Sequence, residues 1–583
     1  MLWILYIASV SFFGYTIFGY LRVSHLDFIP RIFSGYLLGT LLVGILLHIT
    51  TYILPISSFH SLIYFVSSII GSVFLMKRSK KSQIVWITEP SFLFLILFVV
   101  GVSMKYLSKI YGGLPEKMPY LMIPIYDDEI SFINSLMKGV NKRRLNPFFF
   151  DDPRMSKYKY SGNTIPLLFI SSCISLGGSY ENVSAVLCLL NVLATVIITY
   201  LIFKKYTNQP TIACLLYLFS GSWAAYLFFK PNRIMINNDL VHQISSNHLS
   251  IWYHNFGFFL TMSKSASFSI ALSLFAVFYN SSIVGVIFTS LIPNNATSFA
   301  TFAVTFGMSN DIKYLIGYFL TLIYKIYPFL ICYKPMFREA EMRGIFYAPF
   351  IIWFLALGPV FIIVFSFIWF IPKDKLKIYL LSSFCPFLIL QFIREGHDHF
   401  SNSLAIMATF IPVIMIIFTE ILSRFTKYPK DEENQGIAIF ISTALIGFLL
   451  FGGYICIKRS IPLSINNRYD NEDNNLIQEI LKSKKYGKKS VFLIKPRKLH
   501  PIIMTGRQVF MGDKGLMWQR GFKLRDKINQ YELLVNESIT NPKMWNNIGV
   551  DYIIEEPKNN FVFGFKKNVL YNSTKYIISK IIE

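Results

Sequence analysis

The feature that most constrains this chain is a series of apolar runs of about 20 residues, each long enough to cross about 30 Å of hydrocarbon as a helix. A window of about 19 residues places about twelve such runs near 1–21, 33–54, 61–76, 91–109, 183–203, 210–229, 257–279, 313–333, 348–371, 377–394, 403–423 and 436–457. Two further stretches differ. Residues 163–177 are too short to cross. Residues 282–309 are interrupted by "IPNNAT" (Ile292–Thr297). Both are expected to enter the membrane without crossing, or to line a cavity as broken helices. The first run has no basic flank before it and reads as a span; a cleaved signal is the alternative.

Charge orients the array. "MKRSKK" (Met76–Lys81), Lys204 with Lys205, "KDKLK" (Lys373–Lys377) and "SRFTKYPK" (Ser423–Lys430) all fall on one side, as the positive-inside rule requires. The loop 110–162, the segment 230–256, the loop 395–402 and the tail 458–583 then share the opposite, external or lumenal face. The formal charge of +24 belongs to these flanks and to lipid headgroup contacts. No zinc finger, RNP-like stretch or basic helix points to nucleic acid. Only 15% of residues are charged, against about 25% in soluble proteins. The six cysteines all sit in apolar runs without metal or disulfide spacing and read as small buried hydrophobes.

The expected architecture is an all-α polytopic membrane domain over 1–457 with a small α/β extramembrane domain over 458–583. In the tail, "NEDNNLIQEILKSKKYGKK" reads as a helix and a turn. "SVFLI" and "VDYIIEE" read as buried strands, and "RDKINQYELLVN" and "NPKMWNNIG" as helices. Asn536 and Asn572 open glycosylation sequons, usable if this face is lumenal.

Five constellations are candidates for chemistry. Asp127, Asp128 and Glu129 stand side by side after an apolar run. Adjacent carboxylates raise one another's pKa, and such a group serves as a base for a hydroxyl or as a ligand for a divalent cation. The plainer alternative is a wet loop or an acidic helix N-terminus. "REGHDHF" offers Arg394, His397 and His399, with Asp398 to orient an imidazole around a phosphate; the alternative is a polar connection between spans. Asn294 and Asn295 lie within an apolar stretch, where amides need partners and often face a polar cavity or another helix. "WYHNFGFF", with His248 and His254 in the 230–256 segment, fits an interfacial aromatic belt better than a site. The glycine-punctuated basic stretch "TGRQVFMGDKGLMWQRGFKLRDK" (Thr505–Lys527) contains Arg507 and Trp518. It either covers an acidic substrate or forms a corner of the tail.

Several of these stretches, in order, resemble the large integral-membrane glycosyltransferases of the GT-C class, in particular a bacterial-type polytopic group. "DDEISFINSLMKGVNKRRLNPFFFDDPRMSKYKYSG" is similar to that group's acidic loop and Tyr-rich turn. "VGVIFTSLIPNNATSFA" is similar to its mid-chain motif. "TGRQVFMGDKGLMWQRGFKLR" and "IGVDYII" are similar to its tail motifs. The chain departs from the pattern where Glu129 stands near a usual His, and where Asn294 and Asn295 replace a His pair. The resemblance implies a polyprenyl- or dolichyl-phosphate sugar donor and a glycan, glycolipid or protein acceptor. It implies inverting hexosyl or pentosyl transfer on the external face of a plasma membrane or endoplasmic reticulum. Under it Asp127 or Asp128 acts as base, with Mg or Mn as the cation if one is used. Arg394, His397 and Arg507 hold phosphate, His399 and Trp518 line the substrate, and Tyr158 and Tyr160 stack on a sugar. A transporter, or a non-catalytic membrane subunit of the same fold, is the competing expectation.

Overall fold

The computed structural model describes residues 1–21, 28–77, 89–111, 125–137, 164–221, 264–280, 283–292, 294–309, 312–316, 331–332, 353–354, 357–367, 374–395, 400–429, 431–460, 470–487, 489–497, 500–514, 517, 524–537, 548–563 and 567–581. Among them, seven helices are long and apolar enough to cross a membrane. They are Leu2–Tyr20 (α1), Phe28–Thr50 (α2), Ser58–Met76 (α3), Pro90–Ser108 within α4 (Pro90–Tyr111), Tyr180–Tyr206, Asn402–Lys427 and Glu432–Tyr454. The chain is a multi-span membrane protein. The expected span 313–333 lies largely outside the described residues; the expected spans 257–279, 348–371 and 377–394 show shorter described helices, Lys264–Phe278, Pro359–Phe367 and Asp374–Ile389.

Burial sorts these helices. Ninety-four per cent of the apolar window of Asn402–Lys427 is buried, so this helix runs through the centre of the bundle. The corresponding share is 28% for Ser58–Met76, Pro90–Ser108 and Glu432–Tyr454. Phe59, Leu97 and Phe440 stand exposed on those three, as side chains facing hydrocarbon do. Because lipid supplies no hydrophobic drive between helices, close backbone approach and hydroxyl bonds hold them together. A Cβ on Gly35 of α2 would lie 2.6 Å from Tyr15 N and 2.8 Å from Ser11 O of α1, so only glycine permits that crossing. Ser172 hydrogen-bonds both Tyr6 and Ser61, tying three helices at one point.

Three expected pieces take specific forms. Residues 163–177 become α6 (Thr164–Ser175), almost wholly buried inside the bundle. Residues 282–309 are two helices, Ile283–Leu291 and Asn295–Ser309, with the break at the expected place. The expected span 210–229 opens as a helix over Pro210–Phe219 and stops at Ser220. There a Cβ on Gly221 would collide with the backbone of Gly452 and Gly453.

The tail forms a five-stranded mixed sheet. β1 (Val491–Leu493) pairs in parallel with β2 (Gln508–Val509) and β3 (Tyr552–Glu555). β3 then pairs antiparallel with β5 (Ile577–Ile581), which pairs antiparallel with β4 (Lys567–Asn572). The helices Asn471–Lys482 and Arg525–Glu537 match the expected ones; "NPKMWNNIG" lies largely outside the described residues. Asp470 caps the first of these helices reciprocally with Asp473.

One helix joins the two parts. α5 (Ile125–Met137) places Ile130 in the tail core with Leu476, Ile480 and Ile502. It places Phe132, Ile133 and Leu136 in the membrane core. Tyr180, at the start of the 27-residue helix Tyr180–Tyr206, packs against the tail core as well. Lys204 and Lys205 lie at the other end of that helix, about 40 Å away at about 1.5 Å per residue. The tail and this lysine pair therefore occupy opposite ends of the bundle.

Candidate functional site

The site that the described residues assemble is the seam between α5 and the tail. α5 opens with Asp127, Asp128 and Glu129. Acids in a first turn suit the positive end of a helix, which is why this stretch folds as it does. Glu129 is buried, only 1% exposed. The side chains of Asp127 and Asp128 lie outside the described ones.

Against α5 sits a short 3-10 turn, Pro501–Thr505, that ends in Gly506. Gly506 has φ of 65°, a left-handed conformation that glycine adopts without steric cost. A Cβ there would lie 2.5 Å from both the Asn134 carbonyl carbon and Ser135 N. Two separate constraints thus demand glycine at the point where the tail touches the acidic helix.

Arg507 follows directly. Its side chain is 6% exposed, and its Nε and Nη1 have no hydrogen-bond partner among the described residues. Burial lowers its guanidinium from the ordinary arginine value. An arginine stays charged in a protein, so a buried guanidinium without a carboxylate costs several kcal/mol, on the order of the penalty for an uncompensated buried ion. An anion arriving there removes that cost.

The turn is held from behind by a polar chain in the tail. His500 Nδ1 accepts from Ile502 N at 3.3 Å, capping the turn. That leaves Nε2 as the protonated nitrogen of the neutral ring, 3.2 Å from Glu556 Oε1. Arg497 Nε lies 3.2 Å from the same oxygen, and Arg497 Nη2 donates to the Tyr576 hydroxyl at 2.7 Å. Tyr576 in turn donates to Asp473 at 2.5 Å. Burial pushes the His500 imidazole below its usual pKa. Burial alone would raise Glu556, but His500 and Arg497 outweigh it and hold the carboxyl down at about 2. None of this chain was expected from sequence. Its members are spread over residues 473–576, and each alone looks like a surface residue. The faint signal was Asp470 and Asp473 at capping-box spacing.

The other expected site residues fall elsewhere. Asn294 caps the helix Asn295–Ser309: Thr297 N and Thr297 Oγ1 each donate to its Oδ1 at 2.9 Å. Asn295 is the first residue of that helix. Arg394 has its backbone in a two-residue ribbon pairing Arg394–Glu395 with Ile331–Cys332, and its side chain lies outside the described ones. Tyr158, Tyr160, His397, His399 and Trp518 lie outside the described residues. No three His, Cys, Asp or Glu side chains gather as a cation site among the described residues.

A bundle of membrane-crossing helices with a small mixed-sheet domain seated on one end is the class this fold defines. No family model matches the chain, and no curated protein sequence matches it. Among solved structures, the chain is similar to the Archaeoglobus fulgidus oligosaccharyltransferase crystallised with a tethered acceptor peptide. The identity is 11% and the TM-score 0.40, over 81% of this chain and 70% of that one. That likeness is too distant to carry an argument about activity.

Proposed function

We propose that the chain is a membrane glycosyltransferase that moves a sugar from a lipid-phosphate carrier to an acceptor at the α5–tail seam. The observation that carries this reading is the position of Arg507. It is a buried guanidinium without an anionic partner among the described residues, one residue from the glycine that seats the tail on the acidic helix. The similarity of "TGRQVFMGDKGLMWQRGFKLR" to a GT-C tail motif adds to it.

In this reading Arg507 pairs with the carrier phosphate. Asp127 or Asp128 takes the proton of the acceptor hydroxyl. The acceptor oxygen bonds to the anomeric carbon from the face opposite the phosphate. The carbon–oxygen bond to the phosphate breaks, and the lipid phosphate leaves with the electron pair. Charge neutralisation by Arg507 lowers the cost of that departure. Glu129 is a third candidate for that base, in the same first turn of α5 and buried. By the positive-inside rule the seam faces the exterior or lumen, since Lys204 and Lys205 mark the opposite end.

The test is mass spectrometry of glycans and glycolipids from a strain lacking the chain, complemented with wild type, Asp127→Asn or Asp128→Asn. Wild type restores a glycosylated species. At least one of the two variants fails to restore it while accumulating normally in the membrane. Unchanged glycans in the deletion strain would sink the reading.

A further inference from the structure

We infer that Arg31 forms a binding site for the phosphate of an anionic phospholipid at the end of the bundle opposite the tail. Arg31 lies in the first turn of α2 and is 5% exposed. A cation there opposes the positive end of the helix dipole, so it is placed against its own electrostatics. No acidic residue stands in that turn to offset it. The guanidinium carbon rests 4.2 Å from the centre of the Tyr15 ring. Nη2 makes only a long 3.4 Å bond to the Tyr15 carbonyl, and Nε has no partner among the described residues.

Among the described residues no carboxylate meets this guanidinium (Asp27, which precedes α2, lies outside them), and a helix N-terminus with a buried guanidinium beside it forms an anion site. Its surroundings extend the positive field. The Ser34 hydroxyl, one turn along α2, lies 3.1 Å from that of Tyr279. The adjoining Phe278 carries Lys205 Nζ over its ring at 3.9 Å. Lys205 bonds only the Phe278 carbonyl, at 3.5 Å, among its described contacts. Phe12, which stacks on Tyr15, is exposed, as are Tyr20 at the end of α1 and Leu21 just after it. An anion that brings its own hydrocarbon covers those side chains, and a soluble phosphate does not. The occupant is therefore a phospholipid of the surrounding leaflet, with Arg31 forked onto its phosphate and acyl chains along α1. The site is about 40 Å from the α5–tail seam by the length of the helix Tyr180–Tyr206, so it stands or falls independently of the proposed transfer.

The test is native mass spectrometry of the purified full chain released from nanodiscs of mixed phosphatidylglycerol and phosphatidylcholine. Wild type is expected to retain phosphatidylglycerol over phosphatidylcholine by about tenfold, because the choline cation beside the phosphatidylcholine phosphate opposes Arg31 and phosphatidylglycerol has no such charge. Arg31→Gln is expected to lower that ratio by about threefold or more, the basic flanks at the same end keeping the remainder, and Arg31→Lys to hold an intermediate value. Equal retention of the two lipids by wild type overturns the inference, and that measurement needs no variant to fold. So does a ratio that Arg31→Gln leaves intact. A third arm adds inorganic phosphate to the wild type during release. If phosphate displaces the retained phosphatidylglycerol completely at millimolar concentration, the site is one for free phosphate and the lipid assignment fails.

Discussion

At the scale of single residues, Gly506, Arg507 and His500 carry most of the account. Gly506→Ala combines a left-handed strain with a clash against the α5 backbone. It is expected to destabilise the tail by about 1–3 kcal/mol, the range for overpacking a closed site. Thermal unfolding followed by tail-specific hydrogen exchange checks this, and a variant as protected as wild type would count against the seam. His500 gives a pH dependence with a definite sign. Its folded pKa is lowered, so the stability it contributes is present above the unfolded value, about 6.5. That stability declines as pH falls below this value toward the folded one. Protonation also removes the acceptor at Nδ1 that caps the turn. The protection factor of the Ile502 amide, taken against its intrinsic exchange rate at each pH, is expected to fall below about pH 6.5 in wild type, and to lose that dependence in His500→Asn. The Arg507 site was legible in the sequence only as a basic residue in a glycine-rich stretch. Its neighbour Gly506 packs against α5, some 370 residues earlier in the chain, a contact that no local pattern encodes.

At the scale of elements, each of the seven long helices falls on one of the roughly twelve expected apolar runs, because hydrocarbon leaves the backbone no alternative. The break in 282–309 was also legible, since Pro293 and the asparagines interrupt the pattern. Its meaning was not. Asn294 serves as a cap, a role that a cavity-facing amide and a helix start share at the level of sequence. Asn294→Ala is expected to cost about 1 kcal/mol, as lost N-caps do, with no change in transfer activity; a large activity loss at unchanged stability would return Asn294 to the site. The hairpin formed by β4 and β5 escaped prediction because β4 lies at the sheet edge with every residue at least partly exposed, so it shows no alternation. Gly35→Val is expected to separate α1 from α2 and lower the midpoint of unfolding in detergent, because its Cβ would meet the Tyr15 backbone. An unchanged midpoint would show that the two helices need no such contact.

At the scale of the whole molecule, the membrane bundle and the tail share one helix, and the acids that open α5 lie where the two cores meet. A soluble domain tethered only by its chain would not bury Ile130 among its own core residues. That shared helix gives the protein a fixed seam at one end of the bundle, where, in the proposed function, a lipid carrier presents its phosphate and an acceptor arrives from water. The most direct test is the rate of sugar transfer from a polyprenyl-phosphate-linked donor by the purified full chain in liposomes, wild type against Arg507→Gln. The account predicts transfer by wild type and a loss of about 100-fold or more in Arg507→Gln, the scale of removing one transition-state charge contact. Transfer at equal rates by the two proteins would contradict it.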